Sequence, residues 1–140
     1  MKKVVVYLGL LISSCTAGVN LESVDYDHLF NDSNSKVWLV NKVMVENAVI
    51  SPSNDQDKDV MIFYNSWNLD YLAMKDITRK APRKADYFLD SDARTMRIEF
   101  ADKQVWDLDL IYLTEDSILL EPRDGSDIKM AIQLKPFPEL

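Results

Sequence analysis

From Lys36 onward the apolar positions recur with a period of two. In "TMRIEF", Met96, Ile98 and Phe100 fall on one side and Thr95, Arg97 and Glu99 on the other, the alternation of a strand with one buried face. "DIKMAIQL" sets Ile128, Met130, Ile132 and Leu134 against Asp127, Lys129 and Gln133. "VWDLDLIYL" places Trp106, Leu108, Leu110 and Tyr112 opposite Asp107 and Asp109. Further strands are expected at "KVWLVNKVMVENAVI", with a break near Asn41, and at "DVMIFYN", "LDYLAM", "ADYFLD" and "SILLEP". That makes about eight short strands, with no competing helical window after residue 35. Asp124-Gly125 supplies a hairpin turn between strands ending near Glu121 and starting near Asp127, and "LTEDSI" a second tight reversal. The fold class expected is all-β: one antiparallel up-and-down barrel or strongly curved sheet.

Ahead of the strands the pattern changes. "NLESVDYDHLF", residues 20–30, reads as a short helix with Asn20 as N-cap and with Leu21, Val24, His28 and Leu29 on one face. "NDSNS", residues 31–35, is turn chemistry. At the start of the chain "MKK" carries charge, "VVVYLGLLI" is an apolar run, and "SS" precedes Cys15. The apolar run is too short to span a bilayer as a helix, which takes about 20 residues, and has the length of a signal-peptide core.

"ISSC" at that position resembles the lipobox of bacterial lipoproteins. The resemblance implies cleavage before Cys15 and acylation of that cysteine, making Cys15 the lipidation site. Each buried methylene contributes roughly 0.8 kcal/mol, so two or three acyl chains anchor a protein durably. Thr16 follows the cysteine, and by resemblance this favours the outer membrane; the first acidic residue is Glu22, which favours the periplasmic face. The expected organisation is a leader at 1–14, a lipidated tether with a short helix at 15–35, and a β domain at 36–138. In the β domain, "KVWLV", "DVMIFY" and "VWDLDLIYLTEDSILLEP", with a closing strand ending "LKPFP", resemble the lipocalin-like lipoproteins of Bacteroidota. Lys36 stands where lipocalins carry a glycine two residues before the first-strand tryptophan.

Charge and composition narrow the function. The chain has 23 acidic and 16 basic residues, a net charge of -7; loss of Lys2 and Lys3 with the leader leaves 14 basic against 23 acidic, or -9. Nucleic acid is excluded as a partner, since binding polyphosphate requires a basic face. One cysteine and one histidine, His28, cannot build a Cys/His zinc site of the usual ligand count, and three glycines do not make a phosphate loop. Asp55, Asp57 and Asp59 have the spacing of a calcium loop but lack its glycine (Val60) and its closing glutamate (Ser66). No nucleophile, base and orienting group can be named together. The expectation is therefore no catalytic residue, no metal and no cofactor.

Three features remain as candidates. Trp38, Phe63, Tyr64, Trp67, Tyr71 and Trp106 would line an apolar pocket in a barrel mouth, or simply form core. Lys75, Arg79, Lys80, Arg83 and Lys84 reverse the local charge and suit an anionic partner or lipid head group. "DSI" resembles the short O-glycosylation acceptor motif of Bacteroidota, with Ser117 as acceptor. The function expected is a non-enzymatic lipoprotein, held to the membrane by N-terminal acyl chains. It would work as an accessory or structural subunit with a protein partner in the envelope, or as a carrier of a small apolar or lipid ligand.

Overall fold

The structure is a computed structural model and describes residues 26–76 and 78–137. A short helix, α1 (Asp27–Asn31), leads into nine strands: β1 (Ser35–Val45), β2 (Ala48–Val49), β3 (Asp59–Tyr64), β4 (Asn68–Ala73), β5 (Arg83–Asp90), β6 (Thr95–Phe100), β7 (Val105–Leu113), β8 (Ile118–Pro122) and β9 (Ala131–Pro136). Apart from β2, each strand pairs antiparallel with the next, and β9 returns to β1 from Trp38↔Pro136 to Met44↔Ala131. Eight strands thus close an up-and-down barrel, and β2 is a spur folded back on the end of β1. Closure removes the open sheet edges that would otherwise invite association.

Alternation decides what fills the barrel. In β6 the buried positions are Met96, Ile98 and Phe100, and the exposed ones Arg97 and Glu99. Inward side chains from all eight strands make one continuous core, among them Trp38, Phe63, Tyr87, Ile98, Leu108 and Leu134. A barrel of eight strands has an interior just wide enough for its own side chains. Large aromatic and aliphatic residues at these positions leave it filled.

The end bearing α1 is plugged. Phe30 is fully buried, stacks at 5.1 Å on Phe63, and accepts the Trp38 indole N–H through its carbonyl at 3.0 Å. Asn31, also buried, donates to the Tyr87 hydroxyl at 3.1 Å, which in turn donates to the Tyr64 carbonyl at 2.6 Å. The helix that packs is shorter than the 20–30 expected, and residues 20–25 lie outside the described residues. Its packing face also differs: Phe30 and Asn31 face the core, while His28 is exposed and sits 2.7 Å from the Ser33 hydroxyl.

Three strand expectations change for local reasons. The chain does not break at Asn41; a β-bulge there keeps β1 running while Lys42 and Val43 shift against β9. A second bulge between Leu110 and Tyr112 moves Tyr112 out of the inward row and into solvent, and Leu113 packs inward in its place. The strand expected from Asp127 begins at Ala131. Gly125, at φ 89, does turn the chain, but residues 123–127 first run along β7, with Arg123 N–H on the Asp107 carbonyl and Asp127 N–H on the Val105 carbonyl. Ile128 is nonetheless buried as its alternation implied.

Candidate functional site

The aromatic residues expected around a pocket are placed by their strands as packing. Trp38 and Phe63 are fully buried beneath α1. Trp106 sits at the opposite end of the barrel, against Tyr71 (5.6 Å) and Phe100 (4.8 Å). Arg83 closes that end: its guanidinium lies 4.1 Å from the Phe100 ring centre and donates to Asp102 (3.1 Å) and Gln104 (2.7 Å). Below it, the Tyr71 hydroxyl donates to Asp59, and burial, with Asp59 second, holds the phenol well above its ordinary pKa. The Trp106 indole N–H has no partner among the described residues. Trp67 alone of the six is exposed, at 42%, in the β3–β4 turn at φ 67, with its ring 5.4 Å from Tyr87. They do not surround an opening into the barrel; Tyr64 faces outward.

A groove does exist, on the outside. It has a volume of about 730 Å³ and crosses the outer face of the sheet from Tyr64 on β3 to Val105 on β7. Outward positions build it: Asn68 is directly opposite Asp86, and Asp86 opposite Glu99, giving a row of three polar side chains over three strands. One step further along, Asp70 faces Lys84. The Asp70 carboxylate is buried and doubly bonded, by the Lys84 ammonium at 2.7 Å and the Tyr64 hydroxyl at 3.1 Å. Its hydrogen bond raises the Lys84 pKa; burial first, then Asp70, raises that of Tyr64. Glu99 takes the Arg97 guanidinium at 2.9 Å. Among the described residues, Ser66, Asn68, Asp86 and Lys103 have no side-chain hydrogen-bond or ion-pair partner. Of the candidates named from the sequence, Tyr64 and Lys84 line this groove; Asn68, Asp86 and Glu99 are ordinary outward polar positions until the register aligns them.

All five residues of the basic stretch are exposed, along the β4–β5 connection and the start of β5. Lys84 turns onto Asp70 and Arg83 onto the aromatic rings at the barrel end, while Lys80 pairs with Asp76 at 3.5 Å. Lys75 and Arg79 remain exposed in the β4–β5 connection, at the end opposite α1. The acidic loop is likewise internally paired, Asp55 with Lys58 (3.0 Å) and Lys135 (3.6 Å). Among the described residues no group of three His, Cys, Asp or Glu side chains is placed to hold a metal ion. Ser117 lies in the β7–β8 turn, half-buried, with its hydroxyl 3.4 Å from the Gln133 amide nitrogen. Cys15 is outside the described residues.

No protein-family model and no curated protein matches the chain. Among solved structures it is similar to the NMR structure of a protein from Bacteroides uniformis ATCC 8492, with a TM-score of 0.55 and 12% identity over 82% of this chain and 99% of that one. At that identity the likeness is one of fold, a small β-barrel.

Proposed function

We propose that this protein is a non-enzymatic lipoprotein of the outer membrane, anchored by acyl chains on Cys15 on the periplasmic side and acting as an accessory or structural subunit through protein contacts. The observation that carries the reading is the filled barrel. A carrier of apolar ligands needs an enclosed apolar cavity. Here Trp38, Phe63, Tyr87, Met96, Leu108 and Leu120 occupy the space in which such a ligand would sit. The outer surface, in contrast, carries large apolar side chains of the kind that anchor protein contacts: Phe88 (52% exposed), Ile111 and Tyr112 on β5 and β7, and Val49 and Ile50 on the spur.

The anchor is tested by Cys15→Ala. The variant is expected to leave the membrane fraction or to accumulate unprocessed. Mature, cleaved variant protein that stays firmly in the membrane fraction would overturn the anchor. The subunit role is tested by in-cell cross-linking from Phe88 and Ile111 positions carrying a photoreactive residue. A discrete adduct with one envelope protein supports it, and absence of any adduct at both positions refutes it.

A further inference from the structure

We infer that the outer groove over β4–β6 is a binding site for a neutral saccharide. The first observation is the balance of charge. Asp70, Asp86 and Glu99 are matched by Lys84, Lys103 and the adjacent Arg97, so the groove is a neutral island on a chain of net charge -7. A charged ligand would gain no net attraction there. A neutral polar ligand would meet both donors and acceptors.

The second observation is what those groups are. Asn68, Asp86 and Glu99 stand side by side in cross-strand register, about 5 Å apart. Each ends in a planar group with two heteroatoms, a geometry that takes two neighbouring hydroxyls at once. Asp86 has no partner among the described residues and faces a like charge, Glu99, an arrangement that weakens a sheet and so contributes nothing to the fold. The Tyr64–Asp70–Lys84 set beside it is held rigid by its own hydrogen bonds. Fixed groups of this kind bind without an ordering cost.

The third observation is the apolar complement. Ala101 and Val105 give the groove small apolar walls, and Phe88, two residues beyond Asp86 on the same face of β5, stands half-exposed opposite Arg97. A pyranose presents hydroxyls at its rim and C–H groups on its face, and an exposed aromatic ring suits that face. The site does not depend on the acyl anchor or on a protein partner.

The experiment uses the full chain, isotopically labelled, in a detergent without a sugar head group. It is titrated with maltotriose, cellotriose, mannotriose and triacetylchitotriose, and with trigalacturonate and a glucosamine trimer as anionic and cationic comparisons. At least one neutral trisaccharide is expected to give saturable amide shifts at Ser66, Asn68, Asp86 and Glu99, with a Kd of about 1 mM or tighter. Asn68→Ala and Asp86→Ala, both at exposed positions, should each weaken that binding by roughly tenfold, and Lys75→Ala should leave it unchanged. No saturable shift with any neutral trisaccharide up to about 20 mM would overturn the inference. So would shifts that map elsewhere, or tighter binding of either charged comparison.

Discussion

Phe63→Ala separates a filled barrel from a hollow one. Phe63 points inward from β3, is fully buried, and packs against Phe30 and Tyr87 with ring centres 5.1 Å away in each case. Truncation removes the transfer free energy of a buried phenyl ring and leaves a cavity that the closed sheet cannot collapse, which together cost about 3–5 kcal/mol. The two ring pairs account for roughly 0.5–1.5 kcal/mol each within that total. Against a stability of about 5–15 kcal/mol for a domain of this size, the variant remains folded but shifts far. Equilibrium urea unfolding followed by tryptophan fluorescence measures it, with an unchanged slope expected since the surface exposed on unfolding is nearly the same. In a carrier, the same residue would border empty space or ligand and its loss would be nearly neutral. A destabilisation below about 1 kcal/mol would therefore refute the packing argument.

Other outcomes follow from single elements. Thr114 organises the β7–β8 turn: its hydroxyl accepts the Asp116 and Ser117 amides at 3.3 and 3.0 Å and donates to the Ser117 carbonyl at 3.2 Å. Thr114→Ala should cost about 1–2 kcal/mol in urea unfolding while Thr114→Ser stays near wild type; equal effects of the two would remove the hydroxyl from the explanation. Arg94 occupies the left-handed region at φ 56 in the β5–β6 turn, so Arg94→Gly should raise stability by about 0.5–1 kcal/mol, seen as a Tm a few degrees higher, and a lower Tm contradicts this. Burial holds the phenols of Tyr64, Tyr71 and Tyr87 above their ordinary pKa, so the folded state binds more protons than the unfolded state in alkali. Stability should accordingly be level up to about pH 10 and fall beyond it, by up to roughly 1.4 kcal/mol per pH unit from the buried Tyr71 phenol, with smaller, solvent-screened contributions from Tyr64 and Tyr87. Tyr71→Phe should flatten that fall; a slope identical to wild type would show that Tyr71 does not contribute.

Much of the barrel was legible because burial writes a period of two into each strand. "TMRIEF" and "VWDLDL" have the inward residues their spacing implied. The Asn41 bulge showed in the sequence only as a break, and the second left no local mark: Tyr112 reads as inward until the pairing of Leu110 and Tyr112 shows the slip. The barrel expected as one of two alternatives is the one formed; the sequence left it open against a curved sheet because the β1–β9 ladder joins residues nearly a hundred positions apart. Trp67 misled for a different reason. A tryptophan rarely adopts a positive φ, and nothing in "NSWN" announces that it does so here. The aromatic residues were identified correctly as inward-facing in Trp38, Phe63 and Trp106, but whether an inward ring lines a cavity or fills it depends on what stands across the barrel. Phe30, from the helix and not from a strand, is the residue that decides this at one end. The groove was hidden most completely, because Asn68, Asp86 and Glu99 become neighbours only through strand register.

The central claim is that the barrel is full and works through its outer surface. Native mass spectrometry of the detergent-extracted, mature protein tests it most directly. The account predicts a mass equal to the chain from Cys15 plus its acyl chains, with no further small molecule, and a second population bound to a partner protein. A small apolar molecule retained one-to-one by the barrel after delipidating washes would contradict it.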